Sequence, residues 1–163
     1  MTDADIKNKR LHVLMRHIQN VQRECLLLAE RLMENGEVDF ARHLIANSMG
    51  HDNTKFFGIE WDYLHTDIKD NESDKFLLAA TQHVTTNAHH PEFWFCISNM
   101  PRIYLAETVC DWKSRSDEFG NDIKEWIKDQ GVKKYGFSLK GQVYKSIKEF
   151  VDMLLDPPFK KVK

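Results

Sequence analysis

His51 and Asp52 stand side by side in the chain with Lys55 about one helical turn further on, so a single backbone turn can offer one metal ion both an imidazole nitrogen and a carboxylate oxygen. Further donors lie on either side: His17 upstream, His83, His89 and His90 downstream, and Asp111 within Val109-Cys110-Asp111-Trp112. In order the set reads His, His-Asp, His, His-His, Asp. Imidazole and carboxylate together suit a divalent Mn, Fe, Co, Ni or Zn ion, singly or as a pair. An isolated His-Asp pair has a simpler reading, in which Asp52 caps the following helix through its side-chain oxygen. The ordered set is the stronger reading, because several of the 8 histidines stand where apolar residues would be expected.

This order resembles the HD superfamily of metal-dependent phosphohydrolases, named for the dyad, over roughly positions 17 to 111. The extra histidines are similar to those of two-metal members, including the HD-GYP phosphodiesterases and di-iron oxygenases such as myo-inositol oxygenase. The resemblance implies that His17, His51, Asp52 and Asp111 hold one ion. It implies that His83 with His90 or His89 holds a second, bridged to the first by the Asp52 carboxylate. Such ions clamp phosphate oxygens and bring the pKa of a bound water toward ~7. Lys55 then completes a His-Asp-x-x-Lys arrangement whose lysine approaches substrate, which makes Asp52 and Lys55 the catalytic candidates. A surface lysine after a cap is the alternative reading of Lys55. Arg102 and Arg115 are further candidates for phosphate contact by position alone. Glu107 precedes Asp111 by one turn on the same face and is expected behind a ligand histidine, accepting its second N–H.

The chain departs from the HD-GYP pattern, since His83 and His90 are close in sequence and no Gly-Tyr-Pro signature is present. Cyclic dinucleotide hydrolysis is therefore not implied. The His-Asp-x-x-Lys-Phe and Asn-x-His-His-Pro-Glu-aromatic-Trp patterns resemble a small set of bacterial and phage proteins, without naming a substrate. Ala88 to Trp94 is also similar to the His-His-Pro segment of metal-free pterin carbinolamine dehydratases, but the strands of that fold are not visible downstream. The expected activity is metal-dependent hydrolysis of a small phosphorylated molecule, first of all a nucleotide, with Trp61, Trp94 and Trp112 available to stack a base. The alternatives are a non-haem di-iron oxygenase and a non-catalytic metal-binding protein.

The elements that must position these residues read as helices. Leu14, Ile18, Val21, Cys25, Leu28 and Leu32 recur in steps of four and three, predicting one helix from Asp5 to Glu34 with His17 at the edge of its apolar stripe. A second helix is predicted from Val38 to about Met49, ended by Gly50 just before the dyad. Asp67 to Ser73 reads as a loop or lid, and Asn71 with Asp74 as the capping box of a third helix through His83. At about 100° per residue His83, Asn87 and His90 would share a face if that helix continued. Pro91 opposes the continuation, so His83 and His90 rank first as ligands with His89 close behind. Pro101 is placed to begin a helix through Glu107 and Asp111 to about Ser116, closed by Gly120. An amphipathic segment from Asp122 to Gln130 and a terminal helix opening at Ser138 follow, the latter stopped by Asp156-Pro157-Pro158. Lys160 to Lys163 reads as a solvated tail. No period-two strand or internal repeat is visible, so the expectation is an all-α bundle forming one HD-type domain over residues 1–163.

Composition narrows the partners. Hydrophobic residues make up 42% and charged residues 29% of 163, ordinary for a folded globular chain. A formal charge of -2 leaves no basic field for nucleic acid. Cys25, Cys96 and Cys110 are widely spaced and few, so buried free thiols are expected. The acidic opening Met1-Thr2-Asp3-Ala4-Asp5 lacks the basic and apolar pattern of a signal peptide, and no apolar run spans a membrane. A cytoplasmic protein with a small phosphorylated substrate is the expectation, and an oligomer is compatible with the sequence.

Overall fold

The computed structural model describes residues 2–65, 67 and 72–156, which are helical and contain no strand. Helix α1, Asp3–Glu34, begins in a capping box in which Thr2 accepts from the Asp5 amide while the Asp5 carboxylate accepts from the Thr2 amide. Its 32 residues span about 48 Å. The buried face carries Leu14, His17, Ile18, Val21, Cys25, Leu28, Ala29 and Leu32, following the apolar spacing. Gly36, at φ +84°, turns the chain where a side chain would be strained. Helix α2, Val38–Ser48, then packs back on α1 through Ala41 and Leu44. Helices α3, Gly58–Tyr63, and α4, Ser73–Thr86, lie against each other. Helix α5, Arg102–Phe119, crosses both α1 and α2.

After α5 the short helices α6, Ile123–Trp126, and α7, Val132–Tyr135, are joined by a π turn over Ile127–Gly131. Helix α8, Gln142–Leu155, closes the core against α1 and α5 through Ile147, Phe150 and Val151. One contiguous apolar cluster joins α1, α2, α5, α6 and α8. Arg102 ties three of these helices together: it bonds Glu37 and Glu149 and lies over the rings of Phe40 and Phe150. Helix α4 contrasts with this core. It buries only Ala79 and His83 and leaves Leu77 and Leu78 exposed, so its main buried investment is a histidine.

Several local expectations are corrected. Helix α2 does end just before Gly50, but without a left-handed glycine; the residue in that region, apart from Phe95 and four other glycines, is Asp52 at φ 57°. Pro101 is the N-cap of α5 rather than its first residue, and α5 runs on to Phe119 before Gly120 closes it at φ +70°. The segment after Asp122 continues past Gln130 to Tyr135, because the π turn absorbs an extra residue without ending the helical path. Ser138 does not open the last helix. It makes a turn closed by the Gly141 amide on its carbonyl, and α8 starts at Gln142. Helix α4 is capped at Glu72 without a side-chain bond. The proposed Asn71 cap, part of the Asp67 to Ser73 loop, the two prolines after Asp156 and the lysine tail lie outside the described residues. Cys25 and Cys110 are buried, but Cys96 is exposed, since it falls in the irregular segment between two short 3-10 turns, Pro91–Trp94 and Ile97–Asn99. Among the described residues no helix is long and apolar enough to cross a membrane.

Candidate metal centre

Five separate stretches of chain deliver the chemistry-bearing side chains to one buried place. His17 comes from the middle of α1, His51 and Asp52 from the turn after α2, His83 from α4, His89 and His90 from the segment after α4, and Asp111 from α5. The left-handed backbone at Asp52, which Asp tolerates better than most residues, turns its carboxylate inward, where it is 1% exposed. Its two oxygens face different partners. Oδ2 lies 3.4 Å from His17 Nε2, 3.8 Å from His51 Nε2 and 2.7 Å from Lys55 Nζ. Oδ1 lies 3.2 Å from His83 Nε2 and 3.4 Å from His89 Nε2. Asp111 Oδ1 is 3.2 Å from His17 Nε2, and His90 Nε2 is 3.0 Å from His83 Nε2.

These atoms form two donor groups side by side, with Asp52 Oδ1 facing one and Asp52 Oδ2 facing His17 and His51 of the other. His17, His51 and Asp111 make one, and Asp52, His83, His89 and His90 make the other, with the donor atoms of each group within 4.8 Å of one another. Two ligands held ~2.1 Å from one ion at octahedral or tetrahedral angles stand about 3.0–3.4 Å apart, so the spacing suits a shared cation. The hydrogen-bond ledger points the same way. Among the described residues six buried side-chain polar atoms lack a hydrogen-bond partner, and five are His17 Nε2, His51 Nε2, Asp52 Oδ1, His89 Nε2 and Asp111 Oδ1. They are close to one another yet misaligned for hydrogen bonding, as donors aimed at a common centre would be. Leaving such atoms unmet costs about 1–3 kcal/mol each, and a cation satisfies them together. The buried cluster can thus hold a metal ion.

Behind the histidines stands a row of carboxylates. Glu118 Oε1 lies 3.1 Å from His17 Nδ1, Glu107 Oε1 3.0 Å from His51 Nδ1, and Glu60 Oε2 2.8 Å from His83 Nδ1. Each carboxylate favours the tautomer in which Nδ1–H donates outward and the Nε2 lone pair faces the centre. Glu60 is held in turn by the Thr54 hydroxyl at 2.7 Å, and Asn87 bonds Thr54 and the His83 carbonyl. Thr108 donates to the His89 carbonyl, anchoring the His89-His90 segment on α5. His51, His89 and Glu107 also lie close enough to form a third donor group. There the Glu107 oxygen already bonds His51 Nδ1, so this trio reads as support for the two main groups.

Charge balance is consistent with a cation-seeking site. Burial alone would raise the Asp52 carboxyl, but Lys55 and His51, with His17 and His83 nearby, hold it well below the usual carboxylate range. Asp111 is partly buried; the loss of solvent would raise its carboxyl, but His17 and His51 hold it low. Burial would lower His17, yet Asp111 and Asp52 outweigh it and raise its pKa to about 9. His90 goes the other way, pushed down to about 2 by burial and by His89 and His83, so it stays neutral and able to donate its lone pair.

Every residue named from the sequence as a ligand is therefore in the cluster, with both His89 and His90 in reach. Glu107 stands behind His51 as expected. Glu60 and Glu118 had no local signal, being 23 and 101 residues from the histidines they support. Lys55 is on Asp52 rather than on open surface. Arg115 bonds Glu118 and lines the cleft beside the cluster, whereas Arg102 is engaged elsewhere. Trp112 is core, packed on Trp126 and Tyr135, and the Trp94 indole bonds the Ala88 carbonyl.

A family described as "Family of unknown function (DUF5662)" matches residues 7–153. The chain belongs to this family. The matched span includes every member of the cluster and the three carboxylates behind it. No curated protein and no solved structure matches the chain.

Proposed function

We propose that this protein is an HD-type, metal-dependent phosphohydrolase acting on a small phosphorylated molecule. The observation that carries the reading is the Asp52 carboxylate, whose two oxygens face two separate groups of histidines. His17, His51, Asp111 and Asp52 Oδ2 would hold one divalent transition-metal ion, and Asp52 Oδ1, His83, His89 and His90 the other. When bound, such ions polarise phosphoryl oxygens and acidify water at neutral pH.

The chain's own groups have defined work in this scheme. Glu118, Glu107 and Glu60 orient the imidazoles and raise their basicity. Lys55 brings a compact positive charge to the edge of the cluster, where it offsets Asp52 and meets an anionic group entering from the cleft. Arg115 adds a second cation on that side. This basic lining favours a phosphate ester over the neutral polyol of the oxygenase alternative. The test is purification without oxygen, elemental analysis, and phosphate release from a panel of sugar, nucleoside and alkyl phosphates with added Mn, Fe, Co or Zn. Metal-dependent phosphate release that Asp52→Ala abolishes is the expected result. Iron-dependent oxygen uptake without phosphate release overturns the reading.

A further inference from the structure

The cluster opens at His17 and Lys55 onto a cleft of about 180 Å³ that runs along the first half of α1. The α1 residues lining it, among them Arg10, Val13, Leu14 and His17, recur at helical spacing and share one face. The eleven helical steps from His17 back to Ile6 correspond to about 16 Å. The opposite wall includes Leu64, His65 and Asp67. Chemistry changes along this length. At the His17 end stand Lys55 and Arg115; in the middle Val13, Leu14 and Leu64 make an apolar stretch; farther along α1 Arg10 is bound to Asp67 at 3.0 Å.

Three features of the cleft select its occupant. Its cationic end adjoins the donor cluster, so an anionic head belongs there. Its middle is aliphatic: among the described residues no Phe, Tyr or Trp lines it, the His17 imidazole faces Asp52 and Asp111, and His65 is bonded to the Trp61 carbonyl and set edge-on to the Trp61 ring, so no broad aromatic face is offered to a nucleobase. Its volume is below the ~300–1,000 Å³ typical of sites that enclose drug-sized ligands, which favours a small body. We infer that the substrate is a phosphate monoester with a short aliphatic body, its phosphate at the Lys55 and Arg115 end and its carbon chain along Val13, Leu14 and Leu64. The inference rests on the phosphohydrolase reading for the identity of the head group, and replaces the nucleotide expected from the sequence.

Alkylphosphonates separate this inference from the reading beneath it, because they carry the head and chain but no ester to cleave. Binding of methyl-, butyl- and hexylphosphonate and of AMP to the metal-loaded protein is measured by calorimetry. Affinity is expected to rise about threefold to fourfold per methylene over the first few carbons, with butylphosphonate tighter than AMP. Val13 is 56% exposed, so Val13→Asp should fold, and it should flatten the chain-length series. Arg115→Gln should weaken every member by a common factor and leave the slope intact. If the series rises while no phosphate ester is hydrolysed, the cleft assignment stands and the hydrolase reading fails. A flat series, absence of phosphonate binding, or AMP binding tighter than butylphosphonate overturns the inference, whatever esters are hydrolysed.

Discussion

Replacing Glu107 by glutamine keeps the shape of the side chain and removes its charge at a point that touches both halves of the cluster. Its Oε1 lies 3.0 Å from His51 Nδ1 and 3.7 Å from His89 Nδ1, so one carboxylate faces a ligand from each donor group. A hydrogen bond to a charged acceptor contributes about 1.5–3 kcal/mol against about 0.5–1.5 for a neutral one. The substitution thus removes roughly 1–1.5 kcal/mol from the orientation of His51, or about a tenfold loss in affinity for the ion it binds, at the lower edge of the range seen for supporting residues. The longer contact with His89 should give a smaller loss at the second site. Glu60→Gln and Glu118→Gln provide the contrast, because each carboxylate bonds a single ligand histidine, His83 or His17. Competitive metal titration with a chromogenic chelator resolves the two binding steps. Glu107→Gln should weaken both, Glu60→Gln mainly the His83 site and Glu118→Gln mainly the His17 site, with Asp111→Asn costing more than any of them. A Glu107 effect confined to one step, or as large as that of Asp111→Asn, would refute the assignment of Glu107 as a shared support.

Asp52→Ala should remove nearly all bound metal, because the carboxylate that faces His83 and His89 through Oδ1 and His17 and His51 through Oδ2 is lost; elemental analysis showing full content would end the bridging role. His83→Ala should lower one occupancy far more than the other and bring stoichiometry near half, whereas unchanged content would make His83 a packing residue. Metal affinity at the His17 site should rise about tenfold per pH unit up to about pH 9 and then level, since His17, with its pKa raised to about 9, must lose its Nε2 proton to donate. Calorimetry in buffers of different ionisation enthalpy should register that proton at pH 7, and uptake without proton release would contradict it. The same shift stabilises the metal-free protein fully below pH 6.5 and is lost as pH rises through 9, a swing on the order of 3 kcal/mol. His17→Gln should flatten that part of the thermal stability profile; a profile unchanged from the parent counts against the raised pKa.

What the sequence determined by itself was local. Apolar residues at steps of three and four specify α1, Pro101 marks the approach to α5, Asn35-Gly36 and Gly120 mark the ends of the two helices, and the types and order of the donor residues are written in the chain. Even the support role of Glu107 was legible, because it shares a helix face with Asp111. What only the tertiary structure decided was convergence. A helical extrapolation aligns His90 with His83 and turns His89 away, yet the chain leaves helical geometry at Asn87, at ψ 119°, and the Thr108 bond to the His89 carbonyl draws that segment onto α5. Both histidines then reach Asp52 or its neighbours. The turn that aims Asp52 likewise sits one residue pair beyond the glycine that local rules favour, and Glu60 and Glu118 meet their histidines only because α3 packs on α4 and α5 packs on α1. Spacing along a helix is set by nearest-neighbour geometry and can be read from the chain. The meeting of side chains many residues apart depends on how whole helices bury their faces against one another, and no local pattern records it.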